Sequence, residues 1–174
     1  MKVLIMTDTH DRVAHMRFLL EKIHDLEIGA IIHAGDLVEP ESLEVFEDIG
    51  VPVYYVFGNN EGRTEDIIYI CEEIGIHWAL DINTFELDGK TFAVTHYPQL
   101  AEKIMEKKFF DVVCCGHSHF AKIRKYEYGG MFINAGNVAG LREDPRYVIY
   151  DTEKHEAAIH ELGYRQKVFK FHEE

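Results

Sequence analysis

The sequence of 174 residues has only three cysteines, four prolines and one tryptophan. Two of the cysteines, Cys114 and Cys115, are adjacent in an apolar run, and with Cys71 they predict buried thiols in a reducing compartment rather than a disulfide framework. No apolar run approaches the roughly 18–20 residues that span a bilayer. Residues 1–10 predict a buried strand, because no small-residue cleavage site of a signal peptide follows their short apolar run.

Basic residues are also in short supply, with 18 Lys and Arg against 31 Asp and Glu and a formal net charge of −13. This balance argues against a protein that grips nucleic acid through a broad basic surface. It leaves a phosphate substrate open, because bound metal ions can reverse the local charge. Since no linker, repeat or low-complexity stretch is present, we predict one domain over residues 1–174. The reducing compartment expected from the cysteines predicts that the protein works in the cytoplasm.

Hydrophobic patterning predicts strands that alternate with helices. The predicted helices are residues 13–26, 41–49, 64–74 and 98–107, and the first three are expected to end at Gly29, Gly50 and Gly75. The predicted strands are residues 2–6, 30–33, 53–57, 85–87, 91–95, 111–115, 121–128, 131–134, 147–150, 157–162 and 167–172. The first 75 residues favour a parallel sheet, and the hairpin signal Asp88-Gly89 favours antiparallel pairing in the second half. Two packed sheets with helices outside would accommodate both.

Polar side chains follow five of the predicted strands, at the point where each strand ends. They are Asp8 and His10, then Asp36, then Asn59 and Asn60, then His96, and finally His117 and His119. Ligands of α/β sheets bind outside the carboxyl ends of the strands, so we expect these side chains to meet at one rim. Carboxylate, imidazole and carboxamide groups are ligands of zinc, manganese, iron and nickel, so the sequence predicts a metal site there.

Each cluster alone has a simpler interpretation. Asp8 and His10 could be a helix cap and a solvated histidine, Asn59 a turn residue, and His96 a hydrogen-bonded core histidine. The metal site is favoured because all five clusters end strands, in one order. We expect His33 to lie in the core, where it could hold a ligand by a hydrogen bond. The remaining histidines are expected to be solvated or partly buried: His15, His24, His77, His155, His160 and His172.

Several other enzyme classes are excluded by their missing motifs, which include the P-loop, the dinucleotide-binding loop, the serine-hydrolase elbow and the zinc-protease helix. What is present is the order D-x-H, G-D, G-N-x-[DE], H and G-H-x-H. In this chain it reads Asp8-Thr9-His10, Gly35-Asp36, Gly58-Asn59-Asn60-Glu61, His96 and Gly116-His117-Ser118-His119. This order resembles the calcineurin-like metallophosphoesterase superfamily from Lys2 to about Tyr150, and the short chain resembles its single-domain YfcE-like phosphodiesterase branch.

The resemblance implies a fold and a metal centre. The fold would be of the α/β class, a four-layer α/β/β/α sandwich of two mixed β-sheets flanked by helices. By motif position, one divalent ion would be held by Asp8, His10, Asp36 and His119, and a second by Asp36, Asn59, His96 and His117. The ions would be manganese or nickel, with zinc, iron, magnesium and cobalt as alternatives. A hydroxide between them would attack a small phosphodiester in line, with catalytic roles for Asp36, Asn59 and Asn60.

Three departures from the family's pattern bear on substrate choice. Asn60 stands where many relatives have a histidine, and an amide cannot deliver a proton, so we expect diesters with good leaving groups or protonation by water. Tyr97 and Pro98 follow His96 where many small relatives have Gly-His. Residues 134–137 resemble the family's Asn-Pro-Gly-Ser loop in altered form. Glu61 is expected to support a ligand or to begin a helix.

Other functions stay open beside that of a phosphodiesterase. They are a phosphomonoesterase or nuclease of the same fold, and a non-catalytic interaction scaffold like the small subunit of retromer. The presence of all seven candidate ligands favours catalysis over scaffolding, and the acidic balance disfavours a nuclease that acts on long substrates. The resemblance also makes a homodimer an expectation.

Overall fold

Two β-sheets packed face to face form the centre of the computed structural model, which describes residues 1–163. The helices are α1 (Val13–Leu20), α2 (Thr64–Ile74) and α3 (Pro98–Glu106), and a 3₁₀ helix covers Pro40–Phe46. The strands are β1 (Lys2–Met6), β2 (Ile28–His33), β3 (Val53–Val56), β4 (His77–Ala79), β5 (Asn83–Leu87), β6 (Lys90–Val94), β7 (Val112–Cys115), β8 (Ala121–Lys125), β9 (Met131–Ala135), β10 (Arg146–Asp151) and β11 (Glu156–Glu161).

Both sheets are mixed. The first has the order β11-β10-β1-β2-β3-β4, in which β1 to β4 run parallel while β10 and β11 pair antiparallel. The second has the order β5-β6-β7-β9-β8, in which β6, β7 and β9 run parallel and the edge strands β5 and β8 run antiparallel to their neighbours. The predicted class of two mixed sheets flanked by helices is confirmed. The expected antiparallel second half is wrong for β6, β7 and β9, because α3 and β8 return the chain between them.

Apolar layers join the sheets to each other and to the helices. Leu4 and Met6 of β1 pack in the cluster under α1 and α2, whereas Val3 and Ile5 point into the space between the sheets. There they belong to the same cluster as Phe92 of β6, and α3 covers the outer face of the second sheet. Because both faces of β1 are buried, its sequence is a continuous apolar run and not an alternating one.

Local signals predict two elements to the residue. The helix α2 covers Thr64–Ile74 and ends at Gly75, whose φ of 78° is the left-handed conformation that glycine adopts at helix ends. Asp88 and Gly89 join β5 to β6, with φ values of 50° and 71° that match a two-residue hairpin turn.

Two predicted helices differ from the observed ones. α1 ends at Leu20 and not at residue 26, and the chain continues in turns to Glu27. These turns are closed by a hydrogen bond from the N–H of Ile28 to the carbonyl of Ile23 at 2.9 Å. Gly29 lies inside β2 and does not end the helix. The helix predicted at residues 41–49 is instead a shorter 3₁₀ helix over Pro40–Phe46.

The strand β4 was not predicted, because three residues carry too little pattern to identify a strand. The predicted strand 167–172 and His172 lie outside the described residues. Within residues 1–163, no helix is both long and apolar enough to cross a membrane.

The three cysteines are buried and free, as predicted. Burial raises the pKa of Cys71 to about 12 and also raises the pKa of Cys114 and Cys115. All three thiols therefore stay protonated at neutral pH and serve as small core side chains.

Candidate metal centre

Loops from both sheets bring the predicted ligands to one rim of the molecule. In the first sheet, β1 leads to Asp8 and His10, β2 to Asp36 and β3 to Asn59, whereas in the second β6 leads to His96 and β7 to His117 and His119. Asp8, Asp36 and His96 are buried, while the side chains of His10 and His119 are 19% and 12% exposed. The edge where the strands end therefore combines buried carboxylates with imidazoles that solvent can reach.

Asp8, His10 and His119 form the first group of potential ligands. The Nε2 atom of His119 lies 3.2 Å from Oδ1 of Asp8, and Nε2 of His10 lies 3.9 Å from the same oxygen. One donor atom from each of the three lies within 4.8 Å of the others, a spacing that one metal ion can bridge. Asp36 adjoins this group, because its Oδ2 lies 3.6 Å from Nε2 of His10.

A second group surrounds His96. Its Nε2 lies 3.4 Å from Oδ1 of Asp36 and 3.2 Å from Oδ1 of Asn59. One donor atom each from Asp8, Asp36 and His96 also lie within 4.8 Å of one another. The ring of His117 lies beside that of His96, with 5.1 Å between the ring centroids. The structure thus places all seven predicted ligands next to at least one other member of the set.

The protonation of His96 indicates that a cation belongs among the acceptor atoms around its ring. Its Nδ1 lies 2.7 Å from the carbonyl oxygen of Ala34, which can only accept, so Nδ1 carries the hydrogen. Burial lowers the pKa of His96, so the ring is neutral and Nε2 holds a lone pair. That lone pair faces the oxygens of Asp36 and Asn59, which are acceptors as well. Three acceptors aimed at one another repel unless a cation lies among them, so this arrangement fits a divalent ion.

Asp8 is a buried carboxylate without a cation beside it. The Thr7 hydroxyl and the backbone N–H of His117 donate to its Oδ2 at 2.7 and 2.9 Å, while Oδ1 has no hydrogen-bond partner among residues 1–163. Burial raises the pKa of Asp8 to about 7, although both hydrogen bonds act to lower it. Because an uncompensated buried carboxylate is costly, a metal ion at Oδ1 would supply the missing positive charge.

Asp36 differs from Asp8 in its pKa. Burial acts to raise the pKa of Asp36, but its hydrogen-bond donors, among them Nδ2 of Asn60 at 2.6 Å, hold the pKa below its ordinary value. The backbone N–H groups of Asn59 and Asn60 add bonds to Oδ1 at 2.8 and 3.0 Å. Asp36 therefore stays ionised at neutral pH. Asn60, predicted to act in catalysis, is placed against this carboxylate.

Glu61 supports the loops that carry Asp36 and Asn59. Its Oε1 accepts hydrogen bonds from the backbone N–H of Asp36 at 2.6 Å and from the Tyr55 hydroxyl at 2.7 Å. Its Oε2 accepts from the N–H of Gly58 at 2.8 Å. Of the two roles expected from the sequence, this is the supporting one, since α2 begins three residues later at Thr64.

The backbone around the rim is strained at most of the predicted ligands. The left-handed region, with φ between 40° and 66°, contains Asp8, His10, Asp36, His117 and His119. Such conformations cost of the order of 1–3 kcal/mol each and persist where the surrounding structure holds them. Gly58 permits one close approach, because a Cβ atom there would lie 2.2 Å from Oδ1 of Asp36.

Two asparagines hold the loop that carries His117 and His119, a role that the sequence did not reveal. Asn134 is buried and donates from Nδ2 to the carbonyl of Gly116 at 2.8 Å. Asn137 is fully buried and donates from Nδ2 to the carbonyl of His119 at 3.1 Å. Their resemblance to a known family loop was the only signal, because partners 18 residues away along the chain leave no local pattern.

His33 lies in the core, as predicted. The N–H of Gly35 donates to its Nδ1 at 3.3 Å, so Nε2 carries the hydrogen and donates to the hydroxyl of Thr9 at 3.0 Å. The bond reaches the residue between Asp8 and His10 rather than either ligand. The other described histidines are partly buried or exposed, as predicted: His15, His24, His77, His155 and His160.

Sequence comparison identifies relatives of the chain. The profile of the calcineurin-like phosphoesterase superfamily domain matches residues 1–155. Phosphodiesterase MJ0936 of Methanocaldococcus jannaschii is 30% identical over 160 residues, which cover 90% of this chain and 96% of that protein.

The comparison with solved structures agrees with the sequence comparison. The structure of an archaeal phosphodiesterase matches with a TM-score of 0.85 and 29% identity, over 92% of this chain and 99% of that one. The phosphoesterase YfcE of E. coli matches with a TM-score of 0.65 over 94% of this chain and 100% of its own. Because the identity is only 14%, the similarity to the E. coli protein supports the fold alone.

Proposed function

Because the chain belongs to the calcineurin-like phosphoesterase superfamily, we propose that it is a metal-dependent phosphodiesterase that acts on small phosphodiesters at a centre of two divalent ions. The family makes it a phosphoesterase, and the diesterase activity named for its M. jannaschii relative supports the finer assignment. The observation that carries the two-ion proposal is that Asp36 lies between two groups of potential ligands, with Oδ2 at 3.6 Å from His10 and Oδ1 at 3.4 Å from His96.

Asp36 is the residue proposed to be shared by both ions. Its Oδ2 faces His10 and its Oδ1 faces His96, so each carboxylate oxygen belongs to a different group. The first ion would be held by Asp8, His10, Asp36 and His119, and the second by Asp36, Asn59, His96 and His117. Imidazole, carboxylate and amide oxygen suit manganese or nickel, and also zinc, iron, cobalt or magnesium.

Two divalent ions would supply an activated water and would stabilise the attacking and leaving oxygens of an in-line displacement. The chain's own residues orient that chemistry. Glu61 and Asn60 hold Asp36 in place, and Thr7 holds Asp8. Asn60 has no proton to give at neutral pH, so we propose that the leaving group departs unprotonated or takes its proton from water.

The charge of the chain bears on the substrate. A net charge of −13 disfavours long nucleic acids, whereas a small diester needs only the local positive charge of bound metal. A phosphomonoesterase uses the same centre and stays the second candidate. We retain as predictions that residues 1–174 form one domain, that the protein works in the cytoplasm, and that it forms a homodimer.

The first experiment measures hydrolysis of bis(p-nitrophenyl) phosphate and p-nitrophenyl phosphate by metal-stripped protein, with manganese, nickel, zinc or magnesium added back. The variant Asp36→Asn is compared with Asp48→Asn, which changes an exposed aspartate away from the rim. We expect metal-dependent turnover of the diester above the monoester, lost in Asp36→Asn and kept in Asp48→Asn.

Faster turnover of the monoester would replace the diesterase proposal with a phosphomonoesterase. No turnover with any metal, by protein that binds two ions, would favour the non-catalytic scaffold of the same fold. Binding of one ion or none would contradict the two-ion centre.

A further inference from the structure

We propose that Arg142 is a substrate-binding residue of this site and that its guanidinium pairs with a phosphoryl oxygen of the bound diester. This inference rests on the proposed function and adds to it a residue outside the metal ligands. Arg142 lies in the loop of residues 138–145, which leads from the asparagine-containing turn after β9 into β10.

The loop is bonded directly to the segments that carry two proposed ligands. The N–H groups of Val138 and Ala139 donate to the carbonyls of Thr7 and Asp8, both at 3.1 Å. These bonds fix the beginning of the loop against the end of β1, on the side of the first ligand group.

Asn137 fixes the same loop against His119. Its Nδ2 donates to the carbonyl of His119, and its Oδ1 accepts from the N–H of Leu141 at 2.8 Å. Its own carbonyl accepts from the N–H of Arg146 at 2.9 Å, which closes the loop at its base. Arg142 follows Leu141 directly, so its backbone position is set by the residue that also holds the His119 loop.

Asn137 links the backbone next to Arg142 to the loop that carries His119. The N–H of Leu141, the residue before Arg142, donates to Oδ1 of Asn137, whose Nδ2 donates to the carbonyl of His119. Arg142 is exposed and makes no ion pair with a carboxylate within residues 1–163. Its neighbour Glu143 pairs instead with Arg146, at 3.1 Å. Arg142 therefore carries a positive charge that no carboxylate within residues 1–163 neutralises, on a loop bonded to the segments that carry Asp8 and His119.

A phosphodiester matches that charge. The planar guanidinium donates two parallel N–H groups to a pair of phosphoryl oxygens, a geometry that lysine cannot reproduce. Hydrogen bonds between charged groups are worth enough that losing one lowers kcat/KM by about 10- to 100-fold. Since the chain as a whole repels anions, a cation placed at the rim also steers the substrate toward the metal centre.

The test compares Arg142→Met and Arg142→Lys with Arg17→Met. Arg17 is an exposed arginine on α1 that lies beside Glu21, Glu47 and Asp48, away from the rim. The readouts are KM and kcat for bis(p-nitrophenyl) phosphate with manganese, the inhibition constant of inorganic phosphate, and the melting temperature.

We expect Arg142→Met to lower kcat/KM by about 10-fold or more, mainly through KM, and to raise the inhibition constant of phosphate in step. Arg142→Lys should recover part of both, and Arg17→Met should match the wild type. Unchanged KM and phosphate inhibition in Arg142→Met would overturn the inference, as would equal losses in Arg17→Met.

A loss of turnover in Arg142→Met with unchanged phosphate binding would also overturn it, because the residue would then not contact the anion. If the wild type proves inactive, the proposed function fails first. Equilibrium binding of inorganic phosphate to the manganese-loaded protein then decides about Arg142 separately: weaker binding in Arg142→Met supports the contact and equal binding refutes it.

Discussion

The carboxylate of Glu61 accepts a 2.6 Å hydrogen bond from the backbone N–H of Asp36, 25 residues earlier in the chain. Through this bond the loop after β3 sets the position of the carboxylate that lies between both ligand groups. Glu61 also accepts from the N–H of Gly58 and the hydroxyl of Tyr55, so all three of these partners are hydrogen-bond donors. A group that must accept at both oxygens cannot be replaced by an amide without loss.

Glu61→Gln should weaken metal binding while it leaves the metal-free fold intact. Its amide NH₂ would face a donor, so either Gly58 or Asp36 would lose its partner. Residues that orient ligands typically contribute about 10- to 100-fold to metal affinity, and we expect a loss of that size by titration calorimetry with manganese. The control is Glu65→Gln on the exposed part of α2. Equal affinities in the two variants would show that Glu61 does not position Asp36.

Gly58→Ala tests the close packing between the same loops. A Cβ atom at Gly58 would lie 2.2 Å from Oδ1 of Asp36, so the carboxylate must move. We expect a loss of about 1–3 kcal/mol in the free energy of unfolding and a larger loss of metal affinity. Gly62→Ala is the matched control, because its nearest neighbour would lie at 3.4 Å. Urea denaturation with and without manganese measures both effects, and a Gly58→Ala protein that binds metal like Gly62→Ala would contradict this packing.

Some of these relationships could be predicted from the sequence and others could not. The end of α2 at Gly75 and the turn at Asp88-Gly89 depend on neighbours in the chain, so local pattern was sufficient. The parallel alignment of β6, β7 and β9 depends on how the intervening segments cross the sheet, which no local pattern encodes. The early end of α1 depends on the turn around Glu27, where the residue gives no glycine signal.

The candidate site divides in the same way. The predicted ligands could be identified because each follows an apolar strand, and the carboxyl ends of strands share an edge. Apart from Glu61, the supports could not be identified: Thr7 has the pattern of one more strand residue, and Asn137 acts on His119 through a contact 18 residues away. Arg142 gave no signal, since an exposed arginine in a loop is ordinary until the loop is seen bonded to the site.

His33 should make the stability of the metal-free protein depend on pH. Burial lowers its pKa from 6.5 to about 3, so the unfolded chain takes up the proton first as the pH falls. The contribution of the neutral ring is therefore complete above pH 6.5 and is lost toward pH 3, by about 1.4 kcal/mol per pH unit. Asp8, whose raised pKa is about 7, acts in the opposite sense over this range. The loss due to His33 is therefore measured as the difference between the wild type and a His33 variant, by urea denaturation with a chelator at about pH 7.5 and about pH 5.

The variant His33→Gln isolates the contribution of this one residue. Its amide can still donate to Thr9 but takes up no proton. Because it replaces a fully buried ring, we expect a protein less stable by about 1–3 kcal/mol at neutral pH. From about pH 7.5 to about pH 5, the wild type should lose stability relative to this variant. Parallel changes in both proteins would mean that His33 does not titrate in this range on unfolding.

Asn60→His tests whether the amide at this position limits the choice of leaving group. Asn60 donates to Oδ2 of Asp36 at 2.6 Å and is exposed, so a larger ring has room and a histidine can both donate and release a proton. General acid catalysis contributes about 10²- to 10⁴-fold where the leaving group needs a proton. We expect turnover of diesters with basic leaving groups to rise by about 10-fold or more, with little change for p-nitrophenol, which leaves unprotonated.

The measurement is kcat/KM across a series of aryl and alkyl phosphodiesters for the wild type, Asn60→His and Asn60→Ala. The alanine variant removes the hydrogen bond to Asp36 without adding an acid, so it separates the two effects of the substitution. In the wild type, kcat/KM should fall steeply as the leaving group becomes more basic, and this dependence should flatten in Asn60→His alone. The same steep dependence in all three proteins would mean that a histidine at position 60 does not protonate the leaving group, whereas a shallow dependence in all three would mean that water or another residue supplies the proton.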